Sequence, residues 1–233
     1  MNFERMQQLV RLSLGELSAS NSYYTDDEIK AMINDSLVQV ATDVPSLLTF
    51  YDIPTIVGTQ RYSLPVEMLQ LKDVHLFISS TLKRVLEKRS MDEFEALSAS
   101  NFARTGQPAF FKMELGATQV SGVAAGLPGD LWLYPVPDAV TYTLRVYFYQ
   151  RPGILANTTD ITELPEMLHW SVVYHAAAML SLKNDDQNKH TIMMIQYDRS
   201  IARGKRWYVQ HDRSSQHFTQ DVMGYSRSSL IRR

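Results

Sequence analysis

The segments Leu164–Lys183, LPEMLHWSVVYHAAAMLSLK, and Thr191–Gln210, TIMMIQYDRSIARGKRWYVQ, decide how this chain is built. At helical period they give two long helices joined by the polar run Lys183-Asn184-Asp185-Asp186-Gln187-Asn188. Pro165 suits a first helical turn, where its missing N–H goes unused. Glu166 places negative charge near the positive end of the helix dipole. Leu164, Leu168, His175, Met179 and Leu182 fall along one side of the first helix, and Met167, Trp170, Tyr174, Ala177 and Ala178 along another. With Ala176 to Ala178 permitting close approach, this helix is expected to be buried on more than one face, Trp170 and Tyr174 included. The second helix carries a narrower stripe of Met194, Tyr197, Ile201 and Tyr208 and covers the first from one side. The pair reads as a scaffold.

Near the start, Phe3, Met6, Val10, Leu14 and Leu17 recur every three to four residues, which predicts an amphipathic helix to about Glu16. A Ser/Asn-rich break, residues 18–22, ends it. Thr25 followed by Asp26, Asp27 and Glu28 is a capping box, with Tyr24 and Ile29 placed as a hydrophobic staple. The helix it opens puts Ile29, Ile33, Leu37, Val40 and Val44 on one face, and Pro45 closes it. Its polar face, with Lys30, Asn34, Asp35, Gln39 and Asp43, reads as solvated surface.

From about Phe50 the period drops to near two. Residues 55–57 and 60–64 predict a hairpin around Gly58. Residues 71–78, 81–86, 109–115, 119–123 and 130–134 are further strands. Ser90 and Glu93 form a second capping box, for a short helix over 91–97. Residues 140–150 alternate best, with Tyr142, Leu144, Val146 and Phe148 on one face and Thr143, Arg145, Tyr147 and Tyr149 on the other. The order of helix pair, strands and helix pair predicts an α+β fold. Residues 1–50 and 160–213 form a discontinuous helical bundle core. Residues 51–159 are an inserted antiparallel β sandwich or barrel. Residues 214–233 form an extended C-terminal arm that a partner would order.

No apolar run approaches the roughly 20 residues of a membrane span, so no membrane partner is expected. The start, Met1-Asn2-Phe3-Glu4-Arg5, lacks signal-peptide character, and a cytoplasmic protein is the simplest expectation. The absence of cysteine excludes disulfides, thiolate metal sites and cysteine nucleophiles. The net charge of −2 hides a gradient. Arg199 to Arg233 holds eight basic and two acidic residues, against 15 and 23 elsewhere, which marks a candidate interaction arm on an acidic body.

Few patterns suggest chemistry. Glu166 and His169 make one Glu-x-x-His, but a di-iron bundle needs a second copy and two more glutamates, which the sequence does not supply. His169 and His175 are six apart and fall on different faces of one helix. Asp185, Asp186 and His190 read as a polar turn before a capped helix start. The aromatic residues of 140–150 would suit base stacking, yet only Arg145 and Arg151 supply nearby charge, so sheet packing is the better account. No Gly-rich phosphate loop or nucleophile elbow appears. Neither a catalytic site nor any cofactor or metal is expected.

Several motifs in order carry a family resemblance. They are Tyr62-Ser63-Leu64-Pro65, Gly106-Gln107-Pro108-Ala109-Phe110, Leu133-Tyr134-Pro135-x-Pro137, Val146-Tyr147-Phe148-Tyr149-x-x-Pro152 and Leu164-Pro165-Glu166. From about Phe3 to Tyr208 the chain resembles the adaptor proteins of tailed bacteriophages, the connector or head-completion subunits that dock beneath the portal. The resemblance implies a structural virion protein at the portal vertex, made in the host cytoplasm. It further implies a dodecameric ring, a platform for tail or nozzle proteins, and a channel that DNA passes without sequence-specific binding. An acidic body suits such a conduit, since it repels phosphate. Leu164, Leu168, Trp170, Tyr174, Met179, Tyr197 and Ile201 are then expected to serve core and subunit packing. The arm carries Tyr225, Arg227, Leu230, Ile231, Arg232 and Arg233, which are expected to contact the portal, the segment adding as a strand to a partner's sheet edge. Two other readings stand beside this one: a DNA-binding module using the basic C-terminal region, and a hydrolase whose site forms between subunits.

Overall fold

The computed structural model describes residues 1–16, 23–79, 82–99, 104–114, 129–139 and 142–222, without the side chains of 97–99 and 211–222. Two compact units result: Met1–Ser46 with Pro152–Arg233, and Leu47–Arg151.

The first unit is helical. Helix α1 (Phe3–Leu14) is capped by Asn2, whose side chain accepts from the Arg5 amide at 3.1 Å. It ends two residues short of the expected Glu16 because Gly15 turns left-handed, at φ 85. The Glu16 amide then donates to the Arg11 carbonyl at 2.9 Å and the Gly15 amide to that of Leu12 at 3.1 Å, closing the helix as a Schellman motif. Helix α2 (Asp26–Asp43) begins at the expected capping box. The Glu28 amide donates to the Thr25 hydroxyl at 3.3 Å, and the Thr25 amide donates to the Glu28 carboxylate at 3.0 Å. Glu28 also accepts from Lys183, and that bond, then those from Thr25, lower its pKa to about 2.

One 3-10 turn (Glu166–Leu168) leads into α4 (His169–Lys183), and α5 (Gln187–Val222) follows. Helix α4 packs against α1, α2 and α5, and Ala176, Ala177 and Ala178 are fully buried between them. The turn between α4 and α5 needs a positive φ of 54 at Asp185, while the Asp186 carboxylate caps α5 by accepting from the Lys189 amide at 2.9 Å. Helix α5 is buried along Tyr197, Ile201 and Gly204. Gly204 is needed there: a Cβ would stand 2.6 Å from Cδ2 of Leu168. This helix runs through residues 214–222, so that part of the expected extended arm is helical. The physical reason is that no glycine or proline interrupts the chain between Gly204 and Gly224.

The second unit holds ten strands and α3 (Met91–Ala99) among the described residues. One sheet has the order β1 (Leu48–Pro54), β10 (Thr143–Gln150), β3 (Met68–Phe77), β4 (Lys83–Val85). A second has the order β2 (Arg61–Ser63), β8 (Asp130–Tyr134), β7 (Phe110–Glu114), β5 (Glu87–Lys88). The short strands β6 (Thr105–Gly106) and β9 (Val136–Pro137) pair separately. Both larger sheets are open, so no closed barrel forms. Nor is the pairing wholly antiparallel, for β5–β7 and β6–β9 run parallel. The expected strand 119–123 lies outside the described residues.

The expected hairpin around Gly58 is also corrected. Strand β1 lies over 48–54 and pairs with β10, whereas β2 pairs with β8 in the other sheet. The connecting turn explains this. Thr59 donates to the Ile56 carbonyl at 3.1 Å, with Gly58 third of the four residues at φ 76, a type II geometry. Type II turns splay flanking strands instead of pairing them. The Tyr62 hydroxyl braces the turn by donating toward the Thr59 carbonyl at 3.0 Å and accepting from the Ile56 amide at 3.1 Å.

Alternation along β10 matches the expected faces: Leu144, Val146 and Phe148 are buried, and Thr143, Arg145 and Tyr147 less so. Those three join Val74 and Leu76 of β3 and Phe111, Leu131 and Leu133 of β7 and β8 in one apolar cluster shared by the two larger sheets. The Ser90 capping box of α3 is present as expected, with Glu93 amide to Ser90 hydroxyl at 3.3 Å and Ser90 amide to Glu93 carboxylate at 3.2 Å.

Candidate protein-interaction surface

Of the residues expected to pack the helical core, Leu164, Leu168, Tyr197 and Ile201 are buried, and Tyr174 and Met179 are half-buried. Trp170 departs from expectation, with 44% of its surface exposed. Three neighbours enclose α4 and leave one strip uncovered, and Trp170 stands on that strip stacked on Tyr174, ring centroids 5.7 Å apart at 30°. Residues Tyr225, Arg227, Leu230, Ile231, Arg232 and Arg233 lie outside the described residues.

The histidines inside the bundle are engaged by neighbouring groups of the chain. Ser36 donates its proton to the Met32 carbonyl at 2.7 Å, so its 2.9 Å contact with His175 is completed by the ring Nδ1–H. His175 lies 5.1 Å from the Tyr197 ring, and the Tyr197 hydroxyl donates to Asp43. Burial first, then the Asp43 carboxylate, raises the Tyr197 pKa well above its ordinary range. His169, the histidine of Glu166-x-x-His, donates through Nε2 to the Leu164 carbonyl at 2.9 Å and meets the Met1 amino group at 3.1 Å through Nδ1. Both ring nitrogens are thereby engaged within the chain. Among the described residues no three His, Asp or Glu side chains gather as a metal would require. None of the helices described is long and apolar enough to cross a membrane.

These histidines make a pH prediction. His175 and His169 are both held below their ordinary 6.5, chiefly by burial; at His175 this outweighs the upward pull of Asp43 and Asp35. Each then takes up its proton more readily in the unfolded chain. Stability is intact above about pH 6.5 and is lost as pH falls from there toward the folded-state values. The helical melting temperature should be flat from about pH 8 to 7 and decline toward pH 5. Glu28 adds its own loss only below its ordinary 4.5. His175→Gln should flatten part of the upper decline; a melting temperature that rises on acidification across this window would contradict the assignment.

In the sheet unit the aromatic strand β10 carries one cation of its own among its described residues, Arg145, and that charge is paired. Arg145 is held bidentately by Asp52, both bonds 2.7 Å, and lies between the rings of Phe50 at 4.3 Å and Phe77 at 4.7 Å. The charge is neutralised within the sheet, which favours packing over base stacking.

On the helices two charged rows are uncovered. Arg199, Arg203 and Arg206 line one exposed face of α5, and Asp27 and Asp35 line one exposed face of α2. Sequence reasoning took the α2 face for ordinary solvated surface and absorbed the α5 arginines into the charge of the tail. Spacing of like charges at helical period on both helices was the available signal. No curated protein matches the chain significantly. A family model described as SU10 adaptor protein matches residues 1–221, nearly the whole chain. With that match across both the helical and the sheet residues, the chain belongs to the SU10 adaptor protein family, a phage head-to-tail adaptor family.

Proposed function

We propose that this protein assembles as a ring beneath the portal, continues the DNA channel and presents a platform on which tail or nozzle components dock. The observation that carries this reading is the family match over residues 1–221. Two features of the chain support it. Its buried histidines, His175 and His169, are engaged by groups of the same chain, so they serve packing within the bundle. Its acidic body, 15 basic against 23 acidic residues before Arg199, resists adhesion of a passing duplex. A dodecamer is the copy number that fits the family resemblance. The portal contact is assigned to residues 223–233, where Arg227, Arg232 and Arg233 would pair with acidic portal side chains, and Tyr225, Leu230 and Ile231 would supply apolar contact. Multivalency lets each such contact be weak while the ring holds.

The test is addition of the full chain to purified portal rings, read by native mass measurement. One added ring per portal is expected, and deletion of 223–233 should abolish it. Failure of the full chain to bind removes the adaptor role. Undiminished binding after the deletion moves the portal contact to the helical unit.

A further inference from the structure

We propose, building on the ring reading above, that the outer face of α5 in one copy docks on the outer face of α2 in the next copy of this chain. The basic side is Arg199, Arg203 and Arg206, which at i, i+4 and i+7 share one helix face and are all exposed. None of them has an ion-pair partner among the described residues; the one bond seen is from Arg206 Nε to its own helix, at the Ala202 carbonyl, 3.3 Å. Three like charges so arranged repel, and an acidic surface would relieve that. The acidic side is Asp27 and Asp35, two helical turns apart, exposed and likewise without an ion-pair partner among the described residues.

The two rows match in length. At 1.5 Å rise per residue, Arg199 to Arg206 spans about 10 Å and Asp27 to Asp35 about 12 Å. Each row is interrupted by a small exposed residue, Ala202 on α5 and Ala31 on α2, so the two helix surfaces can approach closely. Arginine forks then meet carboxylates bidentately, a geometry lysine does not reproduce. Trp170 supplies the apolar part. The Ser171 hydroxyl donates to the Ser200 hydroxyl at 2.7 Å, which pins α4 beside α5 at this level. Trp170, one residue earlier on α4, is exposed and stacked on Tyr174. Exposed tryptophan and arginine are the residue types enriched in interface hot spots.

Because the two faces belong to different helices, the contact is heterologous: each copy gives one face and receives on the other, and repetition of one such contact makes a ring where the rotation from copy to copy closes. DNA phosphate would satisfy the arginines, but it leaves the complementary face on the same chain without a role. The second copy accounts for both.

Charge reversal tests this with the full chain. R199E/R203E and D27R/D35R should each keep their circular dichroism but assemble about a hundredfold or more weakly than the unaltered chain, alone or on portal rings. Mixed in equal amounts, the two variants should reassemble with alternating subunits, because each reversed face then meets an opposite one. A single chain carrying all four changes should assemble by itself. Rings that form from either reversed variant as readily as from the unaltered chain overturn the inference and leave the adaptor reading intact. Loss of duplex DNA binding by R199E/R203E with assembly unaffected also overturns it, in favour of a nucleic-acid face. If the unaltered chain forms no ring at any salt, with or without portal, the ring reading falls and the inference with it.

Discussion

Phe3→Ala should destabilise the helical unit by about 3–5 kcal/mol, whereas Trp170→Ala should cost it less than about 1 kcal/mol. Phe3 is the first residue of α1 and is wholly buried. Its amide donates to the Asp160 carbonyl at 2.8 Å and that of Glu4 to the Thr158 carbonyl at 3.0 Å, so backbone bonds seat the ring where it cannot drift. Truncation leaves a cavity that the tethered α1 start cannot collapse to fill, which places the cost at the upper end of the range for core residues. Trp170 is the larger side chain, yet 44% of its surface already meets water. Its removal leaves no closed void. Urea unfolding followed by helical circular dichroism measures both. Equal losses would mean that α4 is covered on the side where Trp170 stands. The loss from Trp170→Ala should appear in assembly instead.

Val146→Asp should remove most of the stability of the sheet unit and spare the helices. Val146 is fully buried at the middle of β10, flanked by Tyr51 of β1 and Val74 of β3 in register, with Leu144 and Phe148 buried on the same face. A carboxylate there has no cation within the apolar cluster, and an unpaired buried charge costs about 3–5 kcal/mol or more. That is a large share of the roughly 5–15 kcal/mol that holds a domain together. Protonation softens the cost, because burial raises the carboxyl pKa, so the variant should recover partly at low pH. Near-ultraviolet signals from Trp132 and the strand tyrosines should be lost while the helical far-ultraviolet signal persists. Simultaneous loss of both would show that the two units do not fold separately.

Local chemistry was legible without coordinates. The Thr25 and Ser90 capping boxes and the alternation of β10 depend on residues within a turn or two of each other, and sequence contains that information. The helical state of residues 214–222 is legible in principle, since no glycine or proline stands between Gly204 and Gly224, although the stretch is polar.

Other features depended on which elements meet. After His169, the positions of α4 near Trp170 are apolar, aromatic or small on every side, so periodicity marks no dry side. Only the placement of α1, α2 and α5 around it determines that Trp170 faces outward while Leu168 lies under Gly204. Likewise β1 and β2 are neighbours in sequence, but pairing is non-local, and the type II turn at Gly58 sends β2 to β8 and leaves β1 to β10. The sequence by itself determined the helix starts at the Thr25 and Ser90 capping boxes and the apolar face of β10, because those are set by contacts a few residues apart. The tertiary structure alone decided which apolar faces found partners and which charged rows were left exposed, because burial depends on neighbours that lie far apart in the chain.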